Sequence, residues 1–114
     1  MQYIPPLQIT KTSVEQITPS ASGEVEKALE DNRIYIIEPL PALVEVVLTL
    51  AAGFRYCVVD MQTGTTAPEF GLTSGFTYIG ADCGINGFTP KPNKHYRLAL
   101  QDNGISKYAY VEAI

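Results

Sequence analysis

A chain of 114 residues with eight Lys and Arg against twelve Asp and Glu, net charge −4, has no basic stripe to neutralise phosphates, which argues against a nucleic-acid partner. With 46% hydrophobic residues and a mean hydropathy of +0.04, it has the composition of one folded domain rather than of a disordered chain. No apolar run reaches the roughly 20 residues of a membrane span, because the longest stretch, Ala42 to Phe54, alternates and is broken by Glu45.

Residues 1–23 read as an extended N-terminal arm, set apart by Pro5, Pro6, Pro19, Ser20, Ser22 and Gly23 and by apolar residues without a period. Tyr3, Ile4, Pro5, Pro6, Leu7 and Ile9 are its expected partner-binding residues, since an extended proline-containing segment loses little entropy on docking. The start of the chain lacks the basic and apolar regions of a secretory signal, so synthesis and assembly in the cytoplasm are expected.

Glu24 to Asp31 fits one helical turn or a strand; Gly23 before it and Asp31-Asn32 after it leave too little length for a helix. A strand turning at Asp31-Asn32 into Arg33–Ile37 is the preferred reading. Pro39 and Pro41 mark a loop or a sheet crossing, because they lack the N–H groups of a central ladder. Ala42, Val44, Val46, Leu48 and Leu50 then share one face of a strand. Ala51-Ala52-Gly53 makes a hairpin turn, and Phe54, Tyr56 and Val58 continue the inward face on the return.

Thr63-Gly64-Thr65-Thr66 is turn-like, short strands are predicted near Phe70–Leu72 and Thr77–Ile79, and residues 80–94 form a long loop. In the last quarter Tyr96, Leu98 and Leu100 alternate with His95, Arg97 and Gln101, a half-buried strand that turns at Asp102-Asn103-Gly104 into a returning strand, Ile105 to Glu112. No internal repeat appears. Nine glycines, eight prolines and seven tyrosines favour short strands, so the expected fold is all-β. Residues 24–114 would form an antiparallel β-sandwich or small jelly-roll of about eight short strands.

Candidate chemistry is sparse. His95 is the only histidine, so a catalytic triad would need Ser74 or Ser106 with Asp60 or Asp82, and no Gly-x-Ser-x-Gly elbow accompanies it. Asp60 with Asp82, or Glu24 with Glu26, would serve as acid and base only across a cleft with separated pKa values. Loop glycines at 80, 84 and 87 come without a phosphate-binding lysine. Asp60, Asp82, Asn86 and Asp102 are oxygen donors too thinly spaced for a calcium loop. The expectation is no catalytic, cofactor or metal site. Cys57 and Cys83 are expected as free thiols. The tyrosines could stack on a sugar, with Tyr78 and Tyr108 as the ligand-facing candidates.

Several segments together resemble a small β-domain that recurs in bacteriophage structural proteins. They are Glu30-Asp31-Asn32-Arg33-Ile34-Tyr35-Ile36-Ile37; the alternating strand Leu43 to Leu50 with Gly53-Phe54 and an apolar strand to Asp60; the Thr63–Thr66 turn; Leu72 to Gly80; and Pro92 to Tyr96 leading into the C-terminal hairpin. Two departures stand out: Cys83 and extra glycines in the loop 80–92, and tyrosine (Tyr108 or Tyr110) in place of tryptophan near the last strand. The resemblance implies a non-enzymatic virion protein, a capsid decoration, head fibre or tail component. It would be anchored by its arm to capsid, portal or tail proteins and would form a homo-oligomer, a trimer by analogy with fibres. A carbohydrate-binding or host-adhesion module, with a host glycan as ligand, is the alternative.

Overall fold

The computed structural model describes residues 13–38, 43–85 and 87–114; the expected arm residues Tyr3, Ile4, Pro5, Pro6, Leu7 and Ile9 lie outside these. The described residues form strands and no helix: β1 (Ser13–Ile17), β2 (Glu24–Leu29), β3 (Arg33–Ile37), β4 (Glu45–Leu50), β5 (Tyr56–Gln62), β6 (Glu69–Leu72), β7 (Phe76–Gly80), β8 (Cys83–Gly84), β9 (Gly87–Phe88), β10 (His95–Asp102) and β11 (Lys107–Ala113). The all-β expectation holds. The segment after Gly23 is a strand, and Ser13–Ile17, expected within the arm, is also a strand of the folded body.

A six-stranded sheet has the order β1-β3-β5-β10-β11-β7, and a three-stranded sheet the order β2-β4-β6. From β1 to β7 the chain therefore changes sheet at every turn. The expected hairpins at Asp31-Asn32 and Ala51-Ala52-Gly53 are corners between the two sheets, and the strands they join pair with other partners. Five pairings, β1–β3, β3–β5, β2–β4, β4–β6 and β7–β11, are parallel, so the expected antiparallel arrangement is confined to β5–β10, β10–β11 and the small β8–β9 ribbon. The first half of the domain is a flattened parallel coil in which Arg33 stacks on Ser13 and Cys57 on Arg33.

The corners stack as the strands do. Asn32 N–H donates to Tyr56 O at 2.8 Å, and Asp31 Oδ1 accepts from the N–H groups of Arg55 and Tyr56 at 2.9 and 2.8 Å. Asn32 takes a left-handed φ of 65°, which asparagine tolerates better than most residues. At the other end, Val44 N–H donates to Gly23 O and Glu69 N–H to Val44 O, at 2.8 and 2.9 Å. Corner polar groups are thus satisfied by the next turn of the coil.

Between the sheets lies one apolar core. Val25, Leu29, Val46 and Leu48 from the smaller sheet meet Tyr35, Ile37, Cys57, Val59, Met61, Tyr96, Leu98, Leu100, Ala109 and Val111 from the larger. Each fully buried Leu, Ile or Val contributes about 1.5–3 kcal/mol relative to exposure. The inward face of β5 is Cys57, Val59 and Met61, one residue out of step with the expected Tyr56 and Val58; Phe54 is buried in the corner as expected, and Val44 is exposed. Tyr-Cys-Val-Val is apolar on both faces, so alternation within the strand could not choose between them.

The smaller sheet has only three strands, and the loop 80–94 covers what it leaves open. Phe88 packs edge-on against Phe70 of β6 and Tyr96 of β10, with ring centroids 5.0 and 4.9 Å apart. Thr63 fixes the far end of this loop: its hydroxyl donates to Lys91 O at 2.7 Å and accepts from Lys94 N–H at 2.9 Å.

Candidate functional site

The outer face of the six-stranded sheet, turned away from the core, carries the distinctive arrangement. Register places Val14 beside Ile34, Ile34 beside Val58, Val58 beside Ala99, Ala99 beside Tyr110 and Tyr110 beside Ile79. This is an unbroken apolar row across all six strands. Val14, Tyr110 and Ile79 are 59%, 41% and 44% exposed, and Ile34, Val58 and Ala99 are half-buried by their in-sheet neighbours. Single exposed apolar side chains need no explanation, but a contiguous band does. Parallel strands are ordinarily covered on both faces, and β3 carries Ile34 and Ile36 on its outer face as well as Tyr35 and Ile37 on its inner one.

Two polar rows flank this band. On one side Tyr56, Gln101 and Tyr108 lie side by side, with Thr77 beyond; Tyr108 stacks on Tyr110, with centroids 6.0 Å apart and planes 24° apart. On the other side Asp60, Arg97 and Glu112 are adjacent. Asp60 takes the His95 ring through Oδ1, and its Oδ2 lies 3.6 Å from the Arg97 guanidinium. An uncharged apolar centre that includes Tyr110, with tyrosines and charged groups at the rim, is the arrangement of a protein-binding patch.

The sequence-derived candidates are dispersed by the fold. His95 meets Asp60, but Ser106 lies past the opposite end of β10, about 25 Å along the strand at ~3.3 Å per residue, and Ser74 precedes β7 at that same end. Asp60 faces outward, whereas Asp82 accepts a hydrogen bond from the inward-facing Tyr96 hydroxyl at 2.6 Å, so the sheet separates the two carboxylates. Glu24 and Glu26 are exposed on β2. Among the described residues no group of three His, Cys, Asp or Glu could hold a metal ion, and no helix is long and apolar enough to cross a membrane. Tyr108 lies on the outer face, while Tyr78 packs against the core from the inner face, so these two expected ligand aromatics do not share a surface.

Cys57 and Cys83 are both free. Burial pushes the Cys57 thiol up to about 12, and burial followed by the hydrogen bond to Asp82 pushes the Tyr96 phenol up to about 12. Both groups are held neutral as parts of the interior. At the margin between the sheets Lys27 and Arg33 pair with Glu15, and the Lys27 amine is raised chiefly by its hydrogen bond to that carboxylate.

The apolar row was not among the sequence-derived sites, because it consists of one residue from each of six strands and exists only once register is known. Its trace in the sequence was the pair of runs Ile34-Tyr35-Ile36-Ile37 and Tyr56-Cys57-Val58-Val59, which do not alternate as half-solvated strands should. No family model, curated protein or solved structure matches the chain.

Proposed function

We propose that this chain is a non-enzymatic building block of a bacteriophage particle, a capsid decoration, head fibre or tail component, that docks through the outer face of its six-stranded sheet. The observation that carries the docking face is the apolar row from Val14 to Ile79. The virion setting is supported by the resemblance of residues 24–112 alone. The segment Tyr3 to Ile9 is a second fastening point in this reading. Repetition on a symmetric particle multiplies such contacts into firm attachment.

Co-expression with the products of the neighbouring genes, followed by sedimentation of assemblies, tests this reading. The chain should travel with a large assembly, a Val58→Lys variant should not, and removal of residues 2–12, which spares β1, should weaken incorporation. Sedimentation of Val58→Lys like the unaltered protein would overturn the docking face.

The stacked Tyr108 and Tyr110 beside Gln101 favour glycan binding as a second reading. A glycan array should then show binding that Tyr108→Ala abolishes; a blank array would remove it.

A further inference from the structure

We infer that the occupant of this outer face is a second copy of the chain, related by a two-fold axis lying along the apolar row. The inference rests on reading that face as a docking surface and adds the identity of the partner.

An axis along the row leaves the row facing itself, Val58 opposite Val58 and Tyr110 opposite Tyr110, so apolar side chains bury apolar side chains. The same operation exchanges the two flanking rows. Asp60 of one copy then faces the Tyr56 hydroxyl of the other, Glu112 faces the Tyr108 hydroxyl, and Arg97 faces the Gln101 side-chain amide, each two residues from the row on β5, β11 and β10. Every carboxylate meets a phenolic donor and the guanidinium meets a carbonyl acceptor. Among these three facing pairs no charge opposes a like charge, as an isologous interface requires. Sheets packed face to face cross at about 30°, so these pairings form around the centre of the face and diverge towards its edges.

The dimensions are those of a small interface. Six strands at about 4.8 Å spacing and about five residues of each at ~3.3 Å give a flat patch of roughly 450 Å², which side-chain relief enlarges. At roughly 900 Å² for the two partners together, this lies below the ~1,200–2,000 Å² of a standard complex and in the range of weak, transient ones, which fits a reversible dimer.

Light scattering on the full chain across 5–200 µM tests the inference, with two face variants, Val58→Lys and the more exposed Tyr110→Asp, checked for folding by circular dichroism. The expected result is a concentration-dependent dimer that both variants convert to a folded monomer, with a dissociation constant at least 10-fold higher. Ala99→Cys in a Cys83→Ser background should cross-link to itself with a short bismaleimide, because Ala99 lies on the axis. A wild-type monomer throughout, a trimer, or a dimer untouched by both variants would overturn the inference. A monomer whose Val58→Lys variant still loses co-sedimentation would remove the second copy and leave the docking face standing. A monomer whose Val58→Lys variant co-sediments normally would remove both.

Discussion

The Tyr96 hydroxyl donates to Asp82 Oδ2 at 2.6 Å while accepting the Lys91 N–H at 2.9 Å, joining the central strand β10 to both ends of the covering loop. Tyr96 is fully buried, and Asp82 sits at a left-handed φ of 56°, a conformation this bond helps to hold. Tyr96→Phe keeps the ring against Phe88 but leaves a half-buried carboxylate and a backbone N–H without their partner. The expected cost is about 1–3 kcal/mol, read from urea unfolding. A loss below about 0.5 kcal/mol would show that the loop is held by Phe88 and Thr63 instead.

Alkaline pH should weaken the fold in a defined window. Cys57 and Tyr96 hold their protons up to about 12 when folded, against 9.0 and 10.0 ordinarily. The folded state therefore binds more protons than the unfolded state between those values. Stability is whole below pH 9 and falls as pH rises from 9 toward 12. The melting temperature should drop between pH 8.5 and 11, and less steeply in Tyr96→Phe and Cys57→Ala. Equal slopes in all three proteins would remove these groups as the cause.

The parallel edge pairing of β7 with β11 depends on Gly80. Its φ is +121°, and a Cβ there would lie 2.0 Å from the Val111 carbonyl oxygen, a backbone atom that cannot turn aside. Ala81 N–H donates to that same oxygen at 2.9 Å. Gly80→Ala should cost about 2–4 kcal/mol and speed amide exchange in Phe76–Gly80 before the rest of the sheet. Gly53→Ala, at a positive φ but in open space, should cost less, about 1 kcal/mol.

The thiols should differ in reactivity. Cys57 is fully buried and its pKa lies near 12, whereas Cys83 is partly exposed with its thiol directed at Ala81 O. Iodoacetamide at pH 8 should label Cys83 slowly and Cys57 only after unfolding, as mass spectrometry of digests would show. Labelling of Cys57 in the folded protein would mean that β5 opens locally.

The legible parts of the fold were those written in adjacent residues. The C-terminal hairpin was visible because Tyr96, Leu98 and Leu100 alternate with polar neighbours, and Gly104 supplies the positive φ of its turn. The corners at Asp31-Asn32 and at Gly53 use the same residue types as hairpins. Whether the next strand pairs with the previous one or crosses to the facing sheet depends on partners 20 or more residues away. The parity of β5 was lost for a related reason, since Cys57 and Val58 are both apolar.

The sequence alone determined most of the strands, most of their inward sets and the all-β class, because propensity and a two-residue period act locally; β1 and the short β8 and β9 were not legible in it. Tertiary structure decided that β1 to β7 alternate between two sheets, that Asp60 and Asp82 face opposite ways, and that six apolar side chains from Val14 to Ile79 fall in line. Register is a non-local quantity, fixed by burying one face of every strand at once. The outer row is therefore a consequence of how the inner core packs.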